Sequence, residues 1–273
     1  MGIELGLFTP SKIPGLDGLV SIVISPTDLC NRVCEFCPHS KDFPNTNKFM
    51  KVHLAEMLAS ELNYLKWDGV ISVSGYGEPL LHKDIGNIIK SFTSKNISTR
   101  LITNGDRILN GKVTPEEIDS WGLISIKIDC YDGEEDIKRM NEILKDLKTY
   151  KRISTGPTVI SNRAGYLFEE SVNLPCYQPF MKSIMDWNGE VYVCCEDWNR
   201  KETYGNVYNE SFSSIWSSEK LDIIRKNLLK GNRSFSLTCK KCNLKPENTI
   251  NESESVRIWK VINNSTRLNI TAL

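Results

Sequence analysis

The sequence has no net charge, no apolar run long enough to span a bilayer, and no basic start followed by an apolar core. Lys and Arg number 34 and so do Asp and Glu, so there is no basic excess of the kind that nucleic acid or anionic lipid attracts. Residues 1–19 lack the layout of a secretory signal, and a membrane-spanning helix would need a longer apolar stretch than any present. These absences predict a cytoplasmic protein with no nucleic-acid and no membrane partner. Nine cysteines in reducing surroundings are expected to be metal ligands rather than disulfides. A chain of 273 residues, 40% hydrophobic and 25% charged, suffices for one α/β core and a small appendage.

Strand-like and helix-like stretches alternate along the first part. Residues 1–18 hold Pro10, Pro14, Gly15 and Gly18 and read as an irregular lead-in. Apolar strands are predicted at 19–25, 70–74, 98–103, 123–129 and 158–160. Between them, Leu54, Met57, Leu58, Leu62 and Leu65, then Ile85, Ile88, Ile89 and Phe92, recur at helical spacing. Thr114-Pro115-Glu116-Glu117 is a helix start, with a capping Thr, Pro at the first position and acids in the first turn. A further helix is expected over about 134–149. Such alternation implies a parallel sheet whose loops at the strand carboxyl ends carry the chemistry.

The first of those loops holds Cys30, Cys34 and Cys37, spaced C-x3-C-x2-C, so that three thiolates face one centre. Again a lack is informative. A structural zinc or an ordinary iron–sulfur cluster takes four protein ligands, and only His39 stands near Cys37 as a fourth. Zinc and a redox C-x-x-C pair are the alternatives. Three thiolates on a [4Fe–4S] cluster leave one iron open, which suits the amine and carboxylate of S-adenosylmethionine. Electron transfer into the sulfonium would then yield a 5′-deoxyadenosyl radical, able to take hydrogen from unactivated C–H bonds.

With Phe36 just before the third cysteine, this loop resembles that of the radical S-adenosylmethionine (radical SAM) enzymes. The resemblance implies a partial (β/α)6 TIM-like barrel. It places Phe36 near the adenine, and it matches Gly75-Tyr76-Gly77-Glu78 to the motif that holds the methionine amine. The two glycines would let the backbone come close to a ligand; a tight turn is the other reading. Thr103-Asn104-Gly105-Asp106 is a turn or a cofactor contact. Lys127 and Asp129, ending a strand, are expected to point toward the ribose.

Beyond about residue 170 the pattern changes. Cys176, Cys194, Cys239 and Cys242 flank a predicted hairpin over 184–193 with an Asn-Gly turn and a helix capped by Ser217 or Ser218 and stopped by Gly231. Zinc is a competitor for four such cysteines. The segment resembles the short Twitch form of the SPASM extension, which implies an auxiliary [4Fe–4S] cluster on these four residues. The expected division is 1–18 lead-in, 19–170 barrel, 171–248 auxiliary subdomain and 249–273 tail.

Resemblance to a dehydrogenating branch of the family extends through Tyr76-Gly77-Glu78-Pro79-Leu80-Leu81, Ser161-Asn162-Arg163 and Glu196-Asp197. It implies oxidation of a secondary alcohol of a sugar- or aminocyclitol-like small molecule, with the auxiliary cluster as electron acceptor. Flavodoxin or ferredoxin would be the external electron donor. Arg163 matches a substrate-holding arginine, and Glu196 is the candidate to bind an amine or accept a proton. Ile102 stands where that branch has a substrate-contacting tyrosine, and Cys195 replaces an aromatic; Cys130 and Cys195 read as small core residues. Peptide modification, sugar epimerisation or lysis, and a non-catalytic zinc-binding protein remain as alternatives.

Overall fold

The computed structural model describes residues 11–156 and 161–245. One eight-stranded sheet runs through it in the order β5-β4-β3-β2-β1-β6-β7-β8. Strands β1 (Ser21–Ile24), β2 (Val70–Val73), β3 (Ser98–Thr103), β4 (Ser125–Asp129) and β5 (Tyr150–Ser154) are parallel neighbours in chain order. Helices α1 (Val52–Tyr64), α2 (Ile85–Thr93), α3 (Asp106–Leu109), α4 (Pro115–Ser120) and α5 (Glu134–Ile143) return the chain between them. Alternation along each strand then separates two faces. Ile22, Ile24, Ile71, Val73, Leu101, Ile126 and Ile128 join the helix-facing core with Leu54, Leu58, Ile88 and Phe92. Ser21, Val23, Ser72, Arg100 and Ile102 turn to the opposite, concave face and line a cavity there.

Past β5 the chain crosses back to the other edge of β1. Strand β6 (Lys182–Met185) pairs with β1 in parallel, and β7 (Glu190–Tyr192) and β8 (Thr203–Asn206) follow antiparallel. The expected hairpin is therefore the first half of a three-stranded meander that extends the barrel sheet. Gly189 takes the positive φ of 85° that its turn requires. Helices α6 (Phe212–Trp216) and α7 (Glu219–Leu229) close the far end. Ser218 caps α7 through the Leu221 N–H, and the α4 start carries the full capping box between Thr114 and Glu117.

Two sequence expectations need correction or fall outside. The helix expected to about 149 stops at Ile143. Buried Leu144 and Leu147 continue its apolar spacing through a non-helical turn, which is why the period read on. The fifth strand is Tyr150–Ser154, whose alternately exposed and half-buried residues on a sheet edge give no apolar run. The strand expected at 158–160 and the tail from 249 lie outside the described residues.

Candidate functional site

A cavity of about 400 Å³ opens at the carboxyl ends of β1 to β4, and Cys30, Cys34 and Cys37 all line it. Their loop is held from several sides. Asn45 accepts the Cys30 N–H at 2.8 Å and donates to the Cys30 carbonyl at 3.0 Å. Arg32, between the first two cysteines, pairs with Asp106 and Asp132, each at 2.5 Å. Phe36 stacks against Tyr131 with ring centroids 5.3 Å apart. His39 is spoken for: its Nε2–H donates to the Tyr76 carbonyl at 2.7 Å. That bond occupies the His39 Nε2, and the loop itself brings three thiols to the cavity.

The glycines of Gly75-Tyr76-Gly77-Glu78 line the cavity and also let the cysteine loop come close. A Cβ at Gly75, whose φ is 112°, would stand 2.4 Å from the Ser25 Cβ, and one at Gly77 would stand 2.5 Å from the Thr27 carbonyl oxygen and 2.6 Å from that of Leu29. The start of the cysteine loop thus packs closely on these two glycines, which also line the large cavity. Tyr76 is likewise occupied: its hydroxyl donates to the Asp197 carbonyl at 2.9 Å, and its ring packs on Trp198 and Phe43. Glu78 accepts from Leu80 N–H, Thr103 hydroxyl and Asn104 N–H at 2.9, 2.6 and 2.8 Å. Three donors leave one of its four lone-pair directions for a cationic ligand group. Asn104 is a hub of the turn, accepting the Asp106 N–H and donating to Asn31 at 3.0 Å each. Asp129 lines the cavity, while Lys127 pairs with it at 2.9 Å from outside the lining.

A second, small cavity of about 20 Å³ is lined by Cys176, Cys194, Cys239 and Cys242. These residues lie far apart in sequence, and β6, β7, α7 and a 3₁₀ turn at Cys239–Lys241 bring them together. Among the described residues no three His, Cys, Asp or Glu side chains are close enough to hold one metal ion. Four thiols around one pocket are a donor set that an iron–sulfur cluster or a zinc ion can take. Other observations agree with an anionic centre. Buried Arg233 lines the pocket with no carboxylate partner among the described residues, its donors going to carbonyls of Leu174, Pro175, Cys242 and Leu244. The Leu244 N–H donates to the Cys242 sulfur at 3.4 Å. Burial pushes the thiols of Cys239 and Cys242 up to about 12 and about 11, and that of Cys30 to about 11. Thiols so shifted are protonated when free, so loading a metal centre must release protons.

Arg163 and Glu196 join the two cavities. Arg163 lines the large one and Glu196 the small one, and they pair at 3.1 Å. Ser161 also donates to Glu196, and Asn162 fastens this segment to Lys241 and Asn243 beside the auxiliary cysteines. Both residues are thus held by a partner. Cys195 is not a core residue: it lines the large cavity while Cys194 lines the small one. Adjacent residues pointing to opposite sides are the signal that was available. Ser21, Arg100, Lys182 and Trp198 also line the large cavity, unforeseen in the sequence because strand pairing and loop placement, not a local motif, bring them there.

Comparison with known proteins settles the family. The profile described as Radical SAM superfamily matches residues 24–161, and that described as SPASM, iron-sulfur cluster-binding domain, matches residues 176–243. The chain belongs to the radical SAM superfamily. It is an iron–sulfur enzyme that uses S-adenosylmethionine and [4Fe–4S] clusters, one served by the radical SAM domain and another by the SPASM domain. The S-adenosyl-L-methionine-dependent 2-deoxy-scyllo-inosamine dehydrogenase of Niallia circulans is 29% identical over 238 residues, 84% of this chain and 94% of its own. A crystal structure of BtrN in complex with AdoMet and 2-DOIA matches with a TM-score of 0.76 at 27% identity, covering 87% of this chain and 98% of that one. The Streptococcus suis SuiB structure bound to precursor peptide SuiA, 14% identical with a TM-score of 0.61 over 87% of this chain and 76% of that one, shares the fold. This radical SAM chain thus has the expected α/β half-barrel with a SPASM-type extension, and among its described residues no helix is long and apolar enough to cross a membrane.

Proposed function

We propose that this radical SAM enzyme oxidises a secondary alcohol of a sugar- or cyclitol-like small molecule to a ketone. The observation that carries the reading is the pair of thiol sets on adjoining cavities, joined by Arg163 and Glu196. Cys30, Cys34 and Cys37 would hold a cluster that, with S-adenosylmethionine, would supply a hydrogen-abstracting radical, and Cys176, Cys194, Cys239 and Cys242 would hold a second that could accept an electron. The alcohol carbon loses one hydrogen atom, its hydroxyl loses a proton to solvent, and one electron leaves, which balances CH–OH against C=O. An external donor such as flavodoxin or ferredoxin would return the first centre to its reduced state.

This chain's residues bind and orient. Glu78 keeps an acceptor direction for the cofactor's amine, and Phe36 and Tyr131 offer aromatic faces beside it. Arg163 is anchored at one nitrogen by Glu196, and its buried Nε has no partner among the described residues. A guanidinium so fixed presents its other donors to substrate hydroxyls. Glu196 is consequently a positioning residue that acts through Arg163. The 29% identity to a 2-deoxy-scyllo-inosamine dehydrogenase over most of both chains supports the reaction type.

Anaerobic protein should contain about eight irons, as two four-iron clusters require. Replacing Cys239 and Cys242 by Ala should remove about half of them, keep conversion of S-adenosylmethionine to 5′-deoxyadenosine, and abolish ketone formation. Circular dichroism would verify folding. A folded variant without the second cluster that still forms ketone at the normal rate would overturn the electron-acceptor role.

A further inference from the structure

The concave face of the sheet carries more positive charge than its neighbours neutralise. Arg100, on β3, is half-buried on the cavity wall and makes one side-chain hydrogen bond, from Nε to the Ser72 hydroxyl at 3.1 Å. Lys182, the first residue of β6, is half-buried on the same wall. Among the described residues no carboxylate pairs with either, and burial shifts both the Arg100 guanidinium and the Lys182 ammonium downward, Lys182 also feeling Cys195, Arg100 and Cys194. Two cationic side chains on one cavity wall with no carboxylate partner are an arrangement that a folded chain alone disfavours, because like charges repel and desolvation adds to the cost.

Beside them are polar atoms that also lack partners. Ser21, in direct register with Lys182 across the β1–β6 pair, has a buried hydroxyl with no hydrogen bond among the described residues, and the Trp198 indole N–H is in the same state. Both residues line the cavity. Ser21 and Lys182 begin β1 and β6 and Arg100 lies within β3, whereas Thr103 ends β3 and Glu78 and Asn104 lie beyond the strand ends. Lys182 is instead on the side of Cys195, toward the second thiol set. The unsatisfied donors and charges therefore share the cavity of the first thiol set, which Arg163 and Glu196 join to the second and where the proposed reaction puts its substrate.

We infer that the substrate carries an oxyanion, a carboxylate or a phosphate, seated at the floor of the cavity between Arg100 and Lys182, with the Ser21 hydroxyl completing the cradle. The inference rests on the reading that this cavity holds the substrate beside the cofactor. Arg100 offers a planar fork that matches either group, and Lys182 adds a compact point charge. The assigned substrate class is thus an acidic or phosphorylated polyol, which sets this site apart from one built for an aminocyclitol cation. In that class the anion fixes the ring, and Arg163 meets hydroxyls at the opposite end.

The test measures binding and needs no turnover. Anaerobic holoenzyme saturated with S-adenosylmethionine is titrated by calorimetry with D-glucuronate, D-glucose 6-phosphate, D-glucose and D-glucosamine, which share a ring and differ in charge. One of the two anions is expected to bind at least about tenfold tighter than glucose, with glucosamine weakest; the better anion identifies carboxylate or phosphate. Arg100→Gln and Lys182→Met should each remove that preference, and Arg100→Lys should retain part of it. Equal binding of all four sugars by the wild-type enzyme, or tightest binding of glucosamine, overturns the inference without recourse to any variant. A Lys182→Met enzyme that keeps the anion preference and shifts only the reduction potential of the second cluster also overturns it, since the lysine would then be a counter-ion to the cluster. Failure to detect ketone while the anion preference stands would sink the dehydrogenase reading alone.

Discussion

At the scale of single residues, the glycines of the Gly75 to Glu78 turn decide whether the first cysteine loop can take its place. A methyl at Gly77 would sit 2.5 Å from one backbone oxygen and 2.6 Å from another, and neither belongs to a flexible side chain that could yield. Gly77→Ala is therefore expected to push away the loop that begins at Thr27, lowering iron by about half through loss of the first cluster while the second stays. Iron and sulfide analysis with electron paramagnetic resonance checks this; full occupancy of both clusters would refute it. Asp186 gives a prediction in pH. Burial, with Arg200 shared between Asp186 and Asp28, pushes its carboxyl up to about 7. The folded state then holds this proton more tightly than the unfolded chain, whose value is near 4. Its contribution to stability is therefore greatest below about pH 4 and declines as pH rises toward about 7, by at most about 1.4 kcal/mol per unit. Asp186→Asn should gain on the wild type between pH 5 and pH 7.5 in urea unfolding, and a constant difference would contradict the assignment.

At the scale of elements, sequence legibility followed local chemistry. The α4 start was readable because its capping box is written in four consecutive residues, and the helix-facing core was readable because Ile, Leu and Val repeat with the right period. Seven of the nine cysteines were assignable by spacing and resemblance, and the structure places them on two cavities as three and four. What escaped reading depends on register between strands. Whether Arg100 and Lys182 share a cavity is fixed by β6 lying beside β1 rather than beside β5, a pairing between segments about 160 residues apart that no local pattern encodes. The pairing of Arg163 with Glu196 was hidden for the same reason: Arg163 has a left-handed backbone, with φ at 51°, in a loop stapled by Asn162 to the auxiliary cysteines. Function in this chain lies at contacts made by topology, while the elements that bring them together are encoded locally.

At the scale of the whole molecule, the two regions matched by separate family profiles are joined too firmly to unfold apart. The sheet is continuous across them through the β1–β6 pair. Arg200, which lies between Cys194 and Cys239 in sequence, inserts into the barrel region: it pairs with Asp28 and Asp186 and lies 4.3 Å over the Tyr76 ring and 5.0 Å over that of Phe43. Asp28 lies in the same loop as Cys30, so this cation connects the auxiliary segment to the first thiol set. Removing it leaves two buried carboxylates unpaired, a loss of about 3–5 kcal/mol for a broken buried pair. For a chain of this size that corresponds to a fall of about 6–20 °C in melting temperature. Arg200→Met should therefore melt earlier yet still in one transition, with both clusters lost together in anaerobic calorimetry followed by iron absorbance. Tyr76→Phe, which removes one hydroxyl bond to the Asp197 carbonyl, should cost only about 1 kcal/mol and serves as the mild comparison. Two resolved transitions in Arg200→Met, with the first cluster surviving the loss of the second, would mean that the arginine does not bind the two regions into one cooperative unit.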